Sequence, residues 1–115
     1  VGLLASDTSG TFRLTHNGGS QVTATTDETT PHIYIAVMNG ASSQIIKDRV
    51  VANTGTVTNT NLGGISVNRN MFQSGNFGHW DAIYYEIAAW NTVLSDSESN
   101  RLYDYLKTKW NVGDA

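Results

Sequence analysis

The chain has no cysteine, so disulfides and thiolate metal sites are excluded at once. That absence leaves the redox compartment open, because many extracellular β-proteins do without disulfides. Charge is scarce too: only 15% of residues are charged, and the seven Lys and Arg are scattered rather than clustered. A net charge of −3 without a basic patch gives no electrostatic reason to expect nucleic acid as a partner, since phosphate backbones are held by clustered cations. No apolar run approaches the roughly 20 residues a membrane helix needs, so no membrane insertion is expected. No Asn begins an Asn-x-Ser/Thr acceptor, and nothing points to a eukaryotic secretory route. The chain opens at Val1 with neither a signal peptide nor an initiator Met, so a processed product or a piece of a longer polypeptide is expected.

What is abundant points to strands and turns. Thr, Ser and Asn contribute 14, 10 and 11 residues, and Gly adds 11. Thr favours the pleated surface of a strand, while Gly, Asn and Ser favour tight turns. At 115 residues and 39% hydrophobic, there is room for one domain, residues 1–115, with one core.

Thr11 to Thr15 alternates, with Phe12 and Leu14 on one side and Thr11, Arg13 and Thr15 on the other. Asn17-Gly18-Gly19-Ser20 follows, then Gln21 to Thr25 again at period two, which predicts a β-hairpin. Pro31 precedes His32 to Met38, apolar on both sides of the pleat and expected as a central strand covered on both faces. Asn39-Gly40 predicts a turn, and Gln44 to Ala52 a continuous strand. Asn53 to Asn61 is expected to hold at most a short strand around Val57, and Gly63 to Val67 another. Asn68 to His79 reads as a long loop anchored by Met71, Phe72 and Phe77, and Trp80 to Trp90 as a long strand.

The pattern then changes. Leu94-Ser95-Asp96-Ser97-Glu98 is a helix start, with Ser95 as cap and Glu98 three residues on completing a capping box. Asp96 and Glu98 suit the positive end of the helix dipole, Lys107 and Lys109 the negative end, and Gly113 follows the last turn. Leu102, Tyr105, Leu106, Lys109 and Trp110 recur at helical spacing and are expected to form the stripe laid on the body. The expectation is an all-β chain with one short C-terminal α-helix.

The segment Asp81-Ala82-Ile83-Tyr84-Tyr85-Glu86-Ile87-Ala88-Ala89-Trp90-Asn91, the turn Leu94-Ser95, and Tyr105-Leu106-Lys107-Thr108-Lys109-Trp110 together resemble the close of a concanavalin A-like/laminin-G-like jelly roll. Glu86 matches the acid of the family's last strand, Trp90-Asn91 its aromatic-Asn pair, and Leu94-Ser95 the turn into its final helix. Upstream, His32 to Met38 and Leu62 to Asn70 resemble internal strands of such domains. The resemblance implies an antiparallel β-sandwich. Such domains carry further strands before the point where this chain begins, so it also implies a minimal sandwich, lost opening strands, or strands supplied by another segment or subunit. A sheet lacking strands leaves an edge that invites pairing. Neighbouring subunits, or the remainder of a parent chain, are therefore expected partners.

Hydrolytic relatives of the fold place carboxylates on one sheet face, but Asp81 and Glu86 are five apart and fall on opposite faces of a regular strand. Glu86 is expected instead as a structural acid bonded to backbone. No Gly-x-Ser-x-Gly elbow occurs, and His16, His32 and His79 share no ligand spacing. No cofactor is implied, although Asp48, Asn68, Asn70 and Asp81 would suit calcium if the fold gathered them. Glycan binding has the most support, because sugars are held by aromatic faces and by amide and carboxylate hydrogen bonds. Asn68, Asn70, Gln73, Asn76, His79, Trp80, Asp81 and Tyr84 supply those groups. Trp90 and Trp110 are expected to fill the core, while Trp80 stays open between core and binding surface. The reading is a non-enzymatic binding module, extracellular or on a virion surface, whose partner is a glycan or cell-surface polysaccharide. The competing reading is a structural virion protein, a capsid decoration or fibre domain, whose aromatics serve subunit contacts.

Overall fold

The computed structural model describes residues 2–6, 11–16, 21–25, 30–57, 65–67 and 85–112. Among these the strands are β1 (Gly2–Ser6), β2 (Thr11–His16), β3 (Gln21–Thr25), β4 (Tyr34–Val37), β5 (Gly40–Lys47), β6 (Val50–Val57) and β7 (Ile65–Val67), followed by the helix α1 (Asp96–Trp110). One sheet has the order β3-β2-β1-β7 and the other β4-β5-β6.

The β2–β3 hairpin follows from its alternation. Phe12 stands opposite Ala24 and Leu14 opposite Val22, and all four are buried. They meet Ile45 and Val57 from the second sheet, with Tyr34, Ala36 and Met38 packed against the cluster. Phe12 of one sheet and Tyr34 of the other stack, ring centroids 4.4 Å apart and 10° from parallel. Burying the Phe, Leu, Val and Ile side chains stabilises by about 1.5–3 kcal/mol each, so this cluster holds the two sheets together among the described residues.

Several expectations need correction. β1 pairs with β7 in parallel, so the first sheet is mixed rather than wholly antiparallel. A parallel neighbour cannot be joined by a tight hairpin, and β7 reaches β1 only after the chain has passed through the second sheet. His32 to Met38 contributes an edge strand, not a central one: β4 is shorter, partly buried throughout, and paired only with β5 among the described residues. The expected continuous strand from Gln44 to Ala52 is broken at Asp48 and Arg49, whose φ angles are +47° and +73°. Two consecutive positive φ angles make a tight turn that matches strand twist, so β5 folds back as β6. This also explains the longer strand through Asn53 and Thr54, where at most a short one around Val57 was expected: β6 inherits its pairing from β5.

The turn at Asn39-Gly40 is present. Ser42 N donates to Asn39 O, and Gly40 takes φ +56° with open space around it, a backbone region most side chains avoid. Just beyond, the pairing slips by one residue between Gly40 and Ser43. Such a bulge leaves backbone groups in need of partners. The buried Ser43 hydroxyl supplies them. It accepts from Asn39 N (2.9 Å) and Val57 N (3.3 Å) and lies within donor reach of Gly40 O (2.7 Å) and Val57 O (3.2 Å).

The helix begins as its sequence predicts. Glu98 N donates to Ser95 Oγ, and Ser95 N donates back to Glu98 Oε2. Its end is set by Asn111, in the left-handed conformation at φ +51°, ahead of the expected Gly113, which lies outside the described residues. The apolar stripe is rotated from the expected one. Tyr103 is the buried residue, flanked by half-buried Leu102 and Leu106. The guanidinium of Arg49 lies 4.8 Å from the Tyr103 ring centre and pairs with Asp104, which docks the helix on the β5–β6 turn. Tyr105 is two positions past Tyr103, about 200° around the axis, and so faces outward.

Candidate functional site

The eight residues expected to bind ligand, Asn68, Asn70, Gln73, Asn76, His79, Trp80, Asp81 and Tyr84, lie outside the described residues. The described chain resumes at Tyr85. From Glu86 to Trp90 it runs without regular structure, so this part of the expected Trp80 to Trp90 strand is not a strand. Among the described residues neither sheet takes it as a neighbour.

This segment and the last turns of α1 form an aromatic cluster around one carboxylate. Tyr85 and Trp110 lie 5.6 Å apart, tilted by 45°. Glu86 Oε2 accepts from Trp110 Nε1 (2.8 Å) and from Lys109 Nζ (3.0 Å), and Lys109 Nζ also donates to the Tyr105 hydroxyl (3.1 Å). Among the described residues Glu86 is therefore bonded to side chains of the helix and not, as expected, to backbone. The Trp110 indole N–H, then the Lys109 ammonium, hold its carboxyl below the ordinary value. The Tyr105 hydroxyl, then Glu86, hold the Lys109 ammonium above its own.

Trp90 and Trp110 do not fill the core. Tyr85, Trp90, Tyr105 and Trp110 are 48%, 49%, 52% and 38% exposed. Trp110 does share a helix side with Tyr103, seven residues back, but as the last helical residue it meets Tyr85 and Glu86. The cluster thus offers planar apolar faces beside hydrogen-bonding groups, the combination that holds a sugar ring.

No family model, curated protein or solved structure matches this chain.

A second polar cluster went unnoticed in the sequence. His32 Nδ1 meets Asp48 Oδ2 at 2.5 Å, His32 Nε2 meets Thr30 Oγ1 at 3.0 Å, and Asp48 Oδ1 accepts from Ile33 N at 2.9 Å. The order hydroxyl, imidazole, carboxylate is that of a nucleophilic relay. Here, however, the side chains of His32 and Asp48 are only 9% and 3% exposed, and the carboxylate also holds backbone. Its evident work is structural: Asp48 N donates to Ile33 O, so the turn residue clamps the chain leading into β4 through both backbone and side chain. The pair borders an open cleft of about 280 Å³ lined by His32, Lys47, Asp48, Val50 and Ala52. Of the four oxygen donors considered for calcium, Asp48 is committed to this clamp, and Asn68, Asn70 and Asp81 lie outside the described residues.

No sequence signal announced either cluster. His32 and Asp48 are sixteen apart, and only the β4–β5 register brings them together.

Proposed function

We propose that this chain is a non-enzymatic, concanavalin A-like/laminin-G-like β-sandwich module that recognises a glycan outside a cell or on a virion surface. The observation that carries the reading is the exposed group Tyr85, Tyr105 and Trp110 arranged around Glu86 and Lys109. Aromatic faces pack on the C–H side of a pyranose, and the carboxylate and ammonium bond to its hydroxyls. Residues 68–84, rich in Asn, Gln and aromatics, lead directly into Tyr85, so the expected binding residues and the observed cluster are continuous in the chain. Support for the sandwich comes from the core, which draws on both sheets.

A glycan array with purified protein tests this, with Trp110→Ala and Trp80→Ala beside it. Saturable binding to one sugar class, lost in Trp110→Ala while the circular dichroism spectrum is kept, is the expected result. Absence of binding to every sugar refutes it.

One observation favours the structural reading, a capsid decoration or fibre domain. Val50, Val51, Ile87, Trp90 and Val93 are all about half exposed or more, and scattered apolar surface of this kind suits contact with neighbouring subunits or the rest of a parent chain. Light scattering separates the two: a stable oligomer that binds no sugar assigns these side chains to assembly.

A further inference from the structure

The aromatic cluster already holds a cation. Lys109 Nζ lies 5.4 Å from the Tyr105 ring centre and 5.3 Å from that of Trp110, while bonding to Glu86 Oε2 and the Tyr105 hydroxyl. Tyr85 extends the aromatic wall against Trp110. Aromatic faces with a carboxylate are the surroundings that attract an ammonium, through the ring quadrupole and through direct charge. The position is also at the end of α1, where the helix dipole adds negative potential.

The resident ammonium is held lightly. Its side chain is 44% exposed, and that of Glu86 29%. Ion pairs and cation–π contacts in such surroundings are weak enough for a competing cation to displace them. When Lys109 swings into solvent on its flexible stem, Glu86 keeps its bond from Trp110 and gains room to accept from a newcomer. Among the described residues nothing donates to Glu86 Oε1, so the carboxylate has capacity for two donors at once.

We propose that this cluster is a cation-recognition subsite that takes an alkylammonium group borne by a glycan, with Lys109 as a built-in surrogate that the ligand displaces. The inference rests on the glycan-binding reading of the same surface and narrows it to ammonium-bearing ligands. The ammonium has two chemical sources: the primary ammonium of a glucosamine unit, which can also donate to Glu86, or the quaternary ammonium of a choline substituent, which is held by charge and ring faces alone.

Calorimetric titration of the folded chain at fixed ionic strength tests it. The ligands are glucosamine trisaccharide, its N-acetylated counterpart, glucuronate trisaccharide, and choline chloride. The expected result is binding of an ammonium ligand about tenfold tighter than of neutral or acidic saccharides. Lys109→Gln should tighten that binding roughly three- to tenfold, because the seat no longer has to be vacated. Glu86→Gln should weaken it by about tenfold or more, because the variant loses the carboxylate charge that attracts either ammonium and, for a primary ammonium, the charge-assisted hydrogen bond as well. Stronger binding of glucosamine than of choline identifies the primary amine as the source, and the reverse order the quaternary one. Equal and measurable binding of amine and N-acetyl saccharides with no choline binding, or saccharide binding with no gain in Lys109→Gln, overturns the cation subsite and leaves the glycan reading standing. Choline binding with no saccharide binding keeps the subsite and overturns the glycan reading. No binding of any ligand overturns both.

Discussion

Replacing Asp48 by Ala removes three things at one position. The buried Ile33 N–H loses its acceptor, His32 loses the oxygen 2.5 Å from Nδ1, and a residue at φ +47° loses the short polar side chain that tolerates it. A buried donor left unsatisfied costs roughly 1–3 kcal/mol, and a hydrogen bond to a charged group contributes about 1.5–3 kcal/mol. Left-handed backbone adds about 1–2 kcal/mol for an ordinary L-residue. These terms overlap, so the expected loss is about 3–5 kcal/mol, a large part of the roughly 5–15 kcal/mol available to a domain. The Asp48→Asn variant keeps an oxygen for Ile33 N–H and the tolerance of positive φ, so it is expected to cost only about 1–2 kcal/mol. Asp48→Gly relieves the backbone but abandons both bonds, and should fall between them. Urea unfolding followed by fluorescence measures all three, the slope serving to check that only stability has changed. The reasoning is refuted if Ala costs under about 1 kcal/mol, or if Asn costs as much as Ala.

Ser43→Ala is expected to destabilise by about 2–3 kcal/mol in the same assay, because Val57 N–H and Asn39 N–H lose their acceptor beside the bulge. Gly40→Ala should cost about 1–2 kcal/mol from backbone strain alone, since a Cβ there meets nothing within 4 Å; a crystal structure of the variant showing unchanged packing checks the cause. The Glu86 carboxyl ionises below the ordinary value of 4.5, so its contribution is complete above that pH and is lost as pH falls through the lower folded value. The Lys109 ammonium titrates above 10.5, so its contribution is complete below that pH and is lost as pH rises through the higher folded value. The cluster is therefore fully bonded between these limits. The Trp110 indole proton, followed by NMR, should shift with an acid midpoint below 4.5 that vanishes in Glu86→Gln, and a midpoint at or above 4.5 counts against the contact.

Much of the local structure was legible. Alternation at Phe12, Leu14, Val22 and Ala24 announced the first hairpin and its buried face, and Ser95 with Glu98 announced the start of α1. Asn39-Gly40 marked a turn because few residues other than glycine accept φ +56°. What alternation cannot show is where an apolar run reverses. Gln44 to Ala52 alternates well enough for one strand, and only tertiary pairing makes Asp48-Arg49 a corner. Helical spacing pointed to a stripe through Tyr105, whereas the buried residue is Tyr103, with Arg49 of another element over its ring, a contact that periodicity does not encode. The Glu86–Lys109–Trp110 group depends on where an irregular segment lies against a helix end, which no periodicity encodes.

The attachment of α1 through Arg49 has a mechanical consequence. Among the described residues, tension applied along the helix reaches the second sheet at its β5–β6 corner through an exposed ion pair and the contact of Arg49 with the buried Tyr103 ring, while the two sheets share a buried apolar core. The helix should peel away at low force before either sheet shears. A tethered copy of the chain would then yield in two steps, and Arg49→Ala would lower the force of the first.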